Sequence, residues 1–419
     1  MVLPVESEIP VTLVDESKLD VACADEVGTS DCEKPSFSLV LGGPLFQLYR
    51  RTHLSGDALQ WLRRRVVVIT AFAWLPLLIL SEMQRHGIPG TIIKIDFLHD
   101  ISANVRLLIA LPVLIIAEVV VHERLGIRRF TERHIVSADD IQKFNAAIAS
   151  ALRARNSVAV EGVLLAFVYS VGVWLWRSHF SLGEPTWYEI SEGKQWHLTF
   201  AGYWYVFVSI PVFQFILLRW YVRLVIWFRL LWQISRLNLR LSANHPDRAG
   251  GIGFLGESSY AFGPVLFAQG VLLSGLIANQ VMYEGRNLLS FKLEASGFVA
   301  FFVLAVLGPL VMFSAQLERT KWKGSVDYGL LASRYDFDFA RRWTQAGGLE
   351  TGELRGAPEL KPMVDLANIY SNVREMHLVP FGWRSITRLA ATTMAPLVPL
   401  LLTMSSPSEV VKVLLRIVF

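Results

Sequence analysis

Residues 298–316 have the sequence FVAFFVLAVLGPLVMFSAQ and contain no charged side chain. At about 1.5 Å per residue, a helix of this length covers the roughly 30 Å of hydrocarbon in a bilayer. Five similar runs precede it, so the sequence predicts six membrane-spanning helices at about 66–83, 106–121, 158–176, 199–218, 264–282 and 298–316. A shorter run, 389–404, contains Pro396 and Pro399. It begins a C-terminal membrane segment, 389–419, that either crosses the membrane or re-enters it as a hairpin.

The composition agrees with these runs. Hydrophobic residues make up 53% of the 419 residues and charged residues only 18%, whereas soluble globular domains contain about 25% charged residues. An ordinary soluble enzyme and a disordered chain are therefore excluded. Because a backbone in lipid must form its hydrogen bonds within each segment, the expected fold class is all-α. We expect a polytopic helical membrane bundle of six or seven transmembrane helices with extended cytoplasmic helices.

The N-terminal region differs in charge from the rest of the chain. Residues 1–36 contain nine acidic residues and two lysines. Low hydrophobicity combined with like charge is typical of disorder, so we predict a disordered acidic cytoplasmic tail over residues 1–40. The only cysteines, Cys23 and Cys32, lie in this tail without a neighbouring histidine, and their spacing predicts no metal site.

The basic residues predict the orientation in the membrane. The stretch before the first run and the connections 122–157, 219–263 and 317–388 contain seven, seven, six and eleven lysines and arginines, whereas 177–197 and 283–297 contain two each. Positively charged connections stay in the cytoplasm. We therefore expect a membrane domain over 41–316 with a cytoplasmic N-terminus, followed by a cytoplasmic helical segment over 317–388.

Two cytoplasmic helical features accompany the spans. The sequence Ser137-Ala138-Asp139-Asp140 is typical of a helix start and predicts a cytoplasmic helix over 138–156. After the fourth span the helical pattern continues to Leu241, and five arginines fall within an arc of about 140°. We predict a lipid-facing basic helix that meets anionic lipid, with packing against the protein as the open alternative. Its arginines are Arg219, Arg223, Arg229, Arg236 and Arg240.

A candidate functional loop lies between this helix and the fifth span. Its sequence, HPDRAGGIGF over 245–254, places His245, Asp247 and Arg248 beside Gly250 and Gly251. We expect the three polar side chains to face one another, in an arrangement that suits proton transfer or anion contact, and the glycines allow close approach of the backbone. A purely structural turn that leads into the next span is the alternative interpretation.

Polar residues inside the predicted spans form a second candidate site. Glu118 near the end of the second span and Glu161 near the start of the third have similar depth in the cytoplasmic leaflet. Gln214 and Gln269 fall in the same leaflet, which predicts a cytoplasmic-side vestibule. A cation, a shared proton or an arginine between the two carboxylates would relieve their repulsion. Separate pairing of Glu118 with Arg124 and of Glu161 with Arg155 is the alternative.

Three stretches carry a resemblance to known sequences. They are the loop 245–254, the segment LKPMVDLANIYSNVREMHLVPF over 360–381, and the proline-bearing APLVPLLLT over 395–403. These stretches resemble an uncharacterised group of bacterial multipass inner-membrane proteins, over most of residues 40–419. The resemblance implies a location in the bacterial inner membrane. The group has no functional name, so the resemblance assigns no active residue.

These observations favour a channel or transporter for a small solute or ion. Prolines interrupt several spans, and neither Gly-x-Ser-x-Gly nor His-Glu-x-x-His occurs, so we predict no catalytic residue, cofactor or metal. A membrane-anchored sensor or scaffold is the first alternative, and a membrane enzyme acting on a lipid headgroup or a phosphate is the second. The expected partner is the lipid bilayer, including anionic lipid. A homo-oligomer and a cytosolic protein partner stay open, and nucleic acid is not expected.

Overall fold

The helices of the computed structural model follow the apolar runs of the sequence. The structure describes residues 37–52, 61–87, 96–172, 174, 186–192, 195–341 and 360–403. Predictions for the acidic tail before residue 37 and for 404–419 lie outside the described residues. The described part belongs to a unit that begins at Phe37. Phe37, Leu39 and Val40, which we assigned to the tail, are buried in this unit, so the tail boundary at residue 40 is too late.

Eleven α-helices of eight residues or more lie in the described part of the chain. They are α1 (Pro44–Arg51), α2 (Leu62–Gly87), α3 (Leu111–Arg124), α4 (Ile141–Arg155), α5 (Val158–Phe167), α6 (Ile210–Ile234), α7 (Gly263–Tyr283), α8 (Lys292–Leu307), α9 (Ser314–Phe339), α10 (Leu360–Arg374) and α11 (Trp383–Met394). Shorter α-helices cover Ile101–Val105, Arg129–Glu132, Phe200–Trp204 and Phe254–Ser258. Short 3-10 segments cover Phe97–His99, Ala138–Asp140, Ser259–Phe262, Leu288–Phe291, Gly308–Phe313 and Ala395–Thr403.

Two features of the backbone were not expected from the sequence. Strands β1 (Glu189–Glu192) and β2 (Gln195–Leu198) form an antiparallel pair, with Ile190 opposite His197. Three π-helical turns, Arg106–Ala110, Val168–Gly172 and Tyr205–Ser209, lie inside otherwise α-helical stretches. Two of these turns are followed within two residues by Pro112 and Pro211. Proline cannot donate the hydrogen bond of a regular helix, which accounts for the local irregularity.

Five of the described helical stretches are long and apolar enough to cross a membrane, and a sixth is added if a pair bent by 42° counts as one span. They are Leu62–Gln84, Ile101–Glu132, Phe200–Ile234, Phe254–Tyr283 and Leu288–Phe339, together with the bent pair Ala138–Arg155 and Val158–Gly172. The six predicted runs fall on these six stretches, which confirms the all-α class. The run 389–404 is not among them in its described part.

The centre of the bundle is α7, because two-thirds of its apolar window is buried. The C-terminal helix α11 packs along it, and Gly270 permits this contact: a Cβ atom at this position would collide with the carbonyl of Thr393. Helix α4 packs on α6. Its Phe144 is buried and lies against Phe130 of the short helix Arg129–Glu132, with ring centroids 5.9 Å apart. The helix predicted over 138–156 therefore packs on another helix of the chain.

The helix after the fourth span is shorter than predicted. It ends at Ile234, with Ser235 as its C-cap, and not at Leu241. The chain then becomes extended, and Leu239 pairs with Val136 in an isolated antiparallel bridge. The extension of the sixth span is confirmed, since α9 continues to Phe339 and packs against α10.

Candidate functional site, a buried arginine–glutamate cluster

Charged side chains from four helices meet inside the bundle. We call Arg65, Glu118, Glu161, Arg219 and Arg223 the arginine–glutamate cluster. Arg65 lies in the first turn of α2, Glu118 in α3 and Glu161 in the first turn of α5. Arg219 and Arg223 lie on α6, and residues four apart share one face of a helix.

Glu118 is the centre of this cluster. Its Oε1 accepts a hydrogen bond from Nη2 of Arg223 at 2.8 Å and lies 3.9 Å from Nη1 of Arg219. Its Oε2 lies 3.1 Å from Nη2 of Arg65. The side chains of Arg65, Arg223 and Glu118 are 1%, 4% and 9% exposed. Water screens such buried charges poorly, so their mutual attraction and repulsion are both strong.

One guanidinium connects the two predicted carboxylates. Nε of Arg219 lies 3.4 Å from Oε1 of Glu161, while its Nη1 faces Glu118. Of the arrangements considered from the sequence, the arginine between two glutamates is therefore the one present. The alternative pairing of Glu118 with Arg124 is wrong, since Glu118 pairs with Arg65, Arg219 and Arg223.

The N-terminal segment, which we define as residues 37–49, closes over the cluster. The backbone N–H of Leu45 donates to Oε2 of Glu161 at 2.9 Å, and Nη2 of Arg219 donates to the carbonyl of Gly42 at 3.3 Å. Nη1 of Arg155 donates to the carbonyl of Ser38. Glycine is required at position 42, because its φ is +138° and a Cβ atom there would collide with the side chain of Arg155.

Tyr49 completes this contact from α1. Its ring lies under the Arg65 guanidinium, 5.3 Å from the ring centroid to Cζ, and the residue is buried. Burial, together with the negative charge of Glu118, raises the pKa of the Tyr49 hydroxyl above its ordinary value. The phenol is therefore neutral at physiological pH and acts as an aromatic face for the cation.

The charges of the cluster do not balance. Three arginines face two carboxylates, and the half-buried Arg155 adds a fourth cation at the N-terminal segment. Among the described residues, Nε and Nη1 of Arg65 have no hydrogen-bond partner although they are buried. Leaving a buried charged donor unpaired costs free energy. The cluster thus carries surplus positive charge and unused hydrogen-bond donors.

The two glutamines of the predicted vestibule lie in other contacts. Nε2 of Gln214 donates to the carbonyl of Gly172 at 3.3 Å, and Oε1 of Gln269 accepts from the Tyr221 hydroxyl at 3.0 Å. The prediction that Glu118, Glu161, Gln214 and Gln269 form one site is therefore correct only for the two glutamates. Each amide instead bridges a pair of neighbouring helical segments.

The basic face predicted on α6 is divided in the structure. Arg219 and Arg223 are buried in the cluster, so their assignment to a lipid-facing surface is wrong. Arg229, Arg236 and Arg240 are exposed, although the last two lie beyond the end of the helix. Arg229 is rotated by about 80° from Arg219 around the helix axis, which is enough to move it from the core to the surface.

The loop over 245–253 is organised by Asp247. Its Oδ1 accepts from the backbone N–H groups of Ala249 at 2.8 Å and Gly251 at 3.1 Å, and its Oδ2 accepts from Gly253 at 2.9 Å. Burial alone would raise the pKa of Asp247, but these three donors outweigh it and hold the pKa below its ordinary value. The carboxylate is thus engaged in shaping the turn, in which Gly250 has φ of +67°.

The loop partly matches its prediction. Nδ1 of His245 lies 2.9 Å from Oδ1 of Asp247, as expected. The expectation that Arg248 faces them is wrong, since its Nη1 pairs with Glu375 at 2.9 Å and its carbonyl accepts from His377 at 2.7 Å. Two of the three stretches that carry the resemblance therefore meet here, in contacts that favour the structural interpretation of the loop.

Sequence reasoning missed Arg65 and the N-terminal segment as parts of a site. Arg65 was read only as one of three basic residues at a membrane edge. Gly42-Gly43-Pro44 was the available signal for the segment, because two glycines before a proline mark a tight turn.

No protein family, no curated protein and no solved structure matches this chain.

Proposed function

We propose that this chain is an integral protein of the bacterial inner membrane that moves a small solute or ion across the bilayer, and that the arginine–glutamate cluster lies on its path. The observation that carries the proposal is the contact of four buried ionisable side chains with the partly buried Glu161, between helices that are long and apolar enough to span a membrane. The resemblance to bacterial inner-membrane proteins supports the location.

The energetic cost of the cluster supports a functional role. A charged residue in the middle of a spanning helix costs about 2.5–3.5 kcal/mol on insertion scales. Glu118 and Arg223 lie within the apolar helical stretches Ile101–Glu132 and Phe200–Ile234, but near or beyond the ends of their predicted spans, where the cost is below this value. Buried ion pairs are often replaced by apolar side chains with no loss of stability. Packing of α3 on α6 therefore does not require these charges, whereas binding of a polar species does.

The three π-helical turns support movement of the helices around the cluster. One precedes α3, one follows α5 and one precedes α6, so each of the three helices that carry Glu118, Glu161 and Arg219 adjoins one. Such turns weaken the regular hydrogen-bond ladder and are frequent at functional sites. A helix bends more easily at such a position than in a regular stretch.

The test is flux through the purified chain in proteoliposomes. Efflux of potassium, protons, chloride, nitrate and phosphate is measured for the wild type, Glu118→Gln and Arg223→Lys. The exposed residue Glu123, on the same helix as Glu118, provides the matched control Glu123→Gln. We expect flux of at least one ion that falls in both cluster variants and is retained in the control. Absence of protein-dependent flux for every ion, or equal flux in all four proteins, would overturn the proposal.

A further inference from the structure

The sign of the surplus charge indicates what the cluster binds. Among the described residues, Arg65, Arg219 and Arg223 pair only with Glu118 and Glu161, and Arg155 pairs with no carboxylate. Two positive charges are therefore left over when all six groups are ionised. A cation that enters the cluster is repelled, and this repulsion is strong because charges inside a protein are poorly screened. An anion meets net attraction. This argument reverses the preference for a cation or proton path that the two glutamates alone suggest.

Backbone carbonyls accept hydrogen bonds from two of these arginines. Arg219 donates to the carbonyl of Gly42 at 3.3 Å, and Arg155 donates to the carbonyl of Ser38. A carbonyl oxygen has only a partial negative charge, so it attracts a guanidinium group less strongly than an anion with a full charge does. The carbonyls therefore give these donors a hydrogen-bond partner but leave their positive charge uncompensated. An anion is the stronger partner for both arginines.

Arg65 supplies an independent observation. The residue is 1% exposed, and its Nε and Nη1 have no partner among the described residues. Its Nη2 is used by Glu118, and one face of the guanidinium lies on the Tyr49 ring. Two N–H directions in the plane of the group remain. Buried polar groups are generally hydrogen-bonded, so two orphaned donors on one arginine indicate a missing acceptor.

From these three observations we propose that the cluster is a binding site for a small inorganic anion, which is held by Arg65 and Arg219 and competes with the Gly42 carbonyl of the N-terminal segment for Arg219. The proposal deepens the transport function proposed above, because it names the class of the transported ion. It also gives the N-terminal segment a role. When the anion binds Arg219, the Gly42 carbonyl is displaced and the segment loosens.

The experiment measures anion binding to the purified full-length chain in detergent. Sodium chloride, nitrate, sulfate and phosphate are titrated at constant ionic strength, with sodium gluconate as the balancing salt, and the midpoint of thermal unfolding is recorded. We expect a saturable rise in the midpoint with at least one of these anions. Replacing sodium by potassium should change nothing.

Two variants separate binding at the cluster from a general salt effect. Arg65→Lys keeps the charge but loses the planar donors, and we expect it to weaken the apparent affinity about tenfold, the loss of roughly one charged hydrogen bond. Arg229→Gln removes an exposed arginine from α6 and should leave the affinity unchanged. If Arg65→Lys fails to fold, Glu161→Gln provides the second test, because it removes the carboxylate that pairs with Arg219 and should raise the affinity for an anion.

The outcomes distinguish the two proposals. An identical response to all four anions, or unchanged affinity in both cluster variants, overturns the anion site. Cluster-dependent flux of potassium or protons without anion binding overturns it as well but leaves transport standing. Saturable anion binding that Arg65→Lys weakens, without flux of any ion, supports the site and overturns transport.

Discussion

Nη2 of Arg223 donates a hydrogen bond to Oε1 of Glu118 at 2.8 Å and so joins α6 to α3 at a position where both residues are almost completely buried. The same carboxylate holds Arg65 through its other oxygen. One side chain of α3 therefore fixes two cations from two different helices, and it is the only full negative charge that either of them contacts among the described residues.

Glu118→Gln should be strongly destabilising. Removing one partner of a buried ion pair leaves an uncompensated charge, and such losses are typically about 3–5 kcal/mol. Thermal unfolding in detergent measures the effect. The control Glu123→Gln, one turn away from the cluster on an exposed surface, should stay within about 0.5 kcal/mol of the wild type. Equal unfolding midpoints for the two variants would contradict the central position of Glu118.

Replacing both partners should cost less than replacing one. In Glu118→Gln combined with Arg223→Met, the carboxylate and one of its cations are removed together, so the double variant should recover part of the stability lost in Glu118→Gln alone. A double-mutant cycle gives the coupling between the two residues, which we expect to reach about 1–3 kcal/mol for groups in direct contact. Additive effects of the two substitutions would show that they do not interact.

The N-terminal segment should loosen when Glu161 loses its charge. Oε2 of Glu161 accepts the N–H of Leu45, and Oε1 faces Arg219, so Glu161→Gln weakens both contacts. Amide hydrogen exchange over residues 41–46 should become faster, by about tenfold for each 1.4 kcal/mol lost. Asp139→Asn, an exposed acidic residue before α4, is the control. Unchanged exchange in Glu161→Gln would mean that other contacts hold the segment.

Asp247 should make the protein sensitive to acid. Because its pKa is lower in the folded chain than the ordinary value of about 3.9, its stabilising effect is fully present above that value and is lost as the pH falls through the folded-state pKa. Asp247→Asn should lower stability at pH 7 by about 1–3 kcal/mol, since hydrogen bonds to a charged acceptor are lost. It should also flatten the fall in unfolding midpoint between about pH 5 and pH 3. If the unfolding midpoint of Asp247→Asn fell with acid as it does in the wild type, the role given to Asp247 would be contradicted.

The orientation predicted from the basic residues is tested by reporter fusions. A reporter joined after Arg128 or Arg355 should be cytoplasmic, and one joined after Glu184 should be periplasmic, because the Lys and Arg content alternates along the connections. A periplasmic signal at Arg355 would show that the helix Leu288–Phe339 does not leave the membrane on the cytoplasmic side.

The helical spans were predictable because their signal is local. A run such as 298–316 has few alternatives to a helix in lipid, whatever its neighbours are. The proximity of Glu118 and Glu161, which contact the same arginine, was also predictable from counting residues along two consecutive apolar runs. The identity of their partners was not. It depends on how far each helix is rotated about its axis, which tertiary packing decides.

Arg219 shows why the partners of Glu118 and Glu161 could not be predicted from the sequence. It lies on one arc of α6 with Arg223 and Arg229, and the sequence gives no sign that the arc is divided between the core and the surface. The burial of Phe37–Val40 could not be predicted for a different reason. Four residues next to an acidic tail are too few to show a pattern, and their burial depends on contacts with residues more than 80 positions away, such as the hydrogen bond between Ser38 and His122.

The most direct test of the account is a structure of the full chain with an anomalous scatterer. Crystals grown with bromide, as a stand-in for a halide, and with selenate, as a stand-in for an oxyanion, would locate bound anions. The account predicts a peak of one of them within hydrogen-bond distance of Arg65 and Arg219, with the Gly42 carbonyl moved away from Arg219. Anomalous peaks at other positions only, with the free N–H groups of Arg65 bonded to water, would contradict the account and leave the cluster as a structural contact.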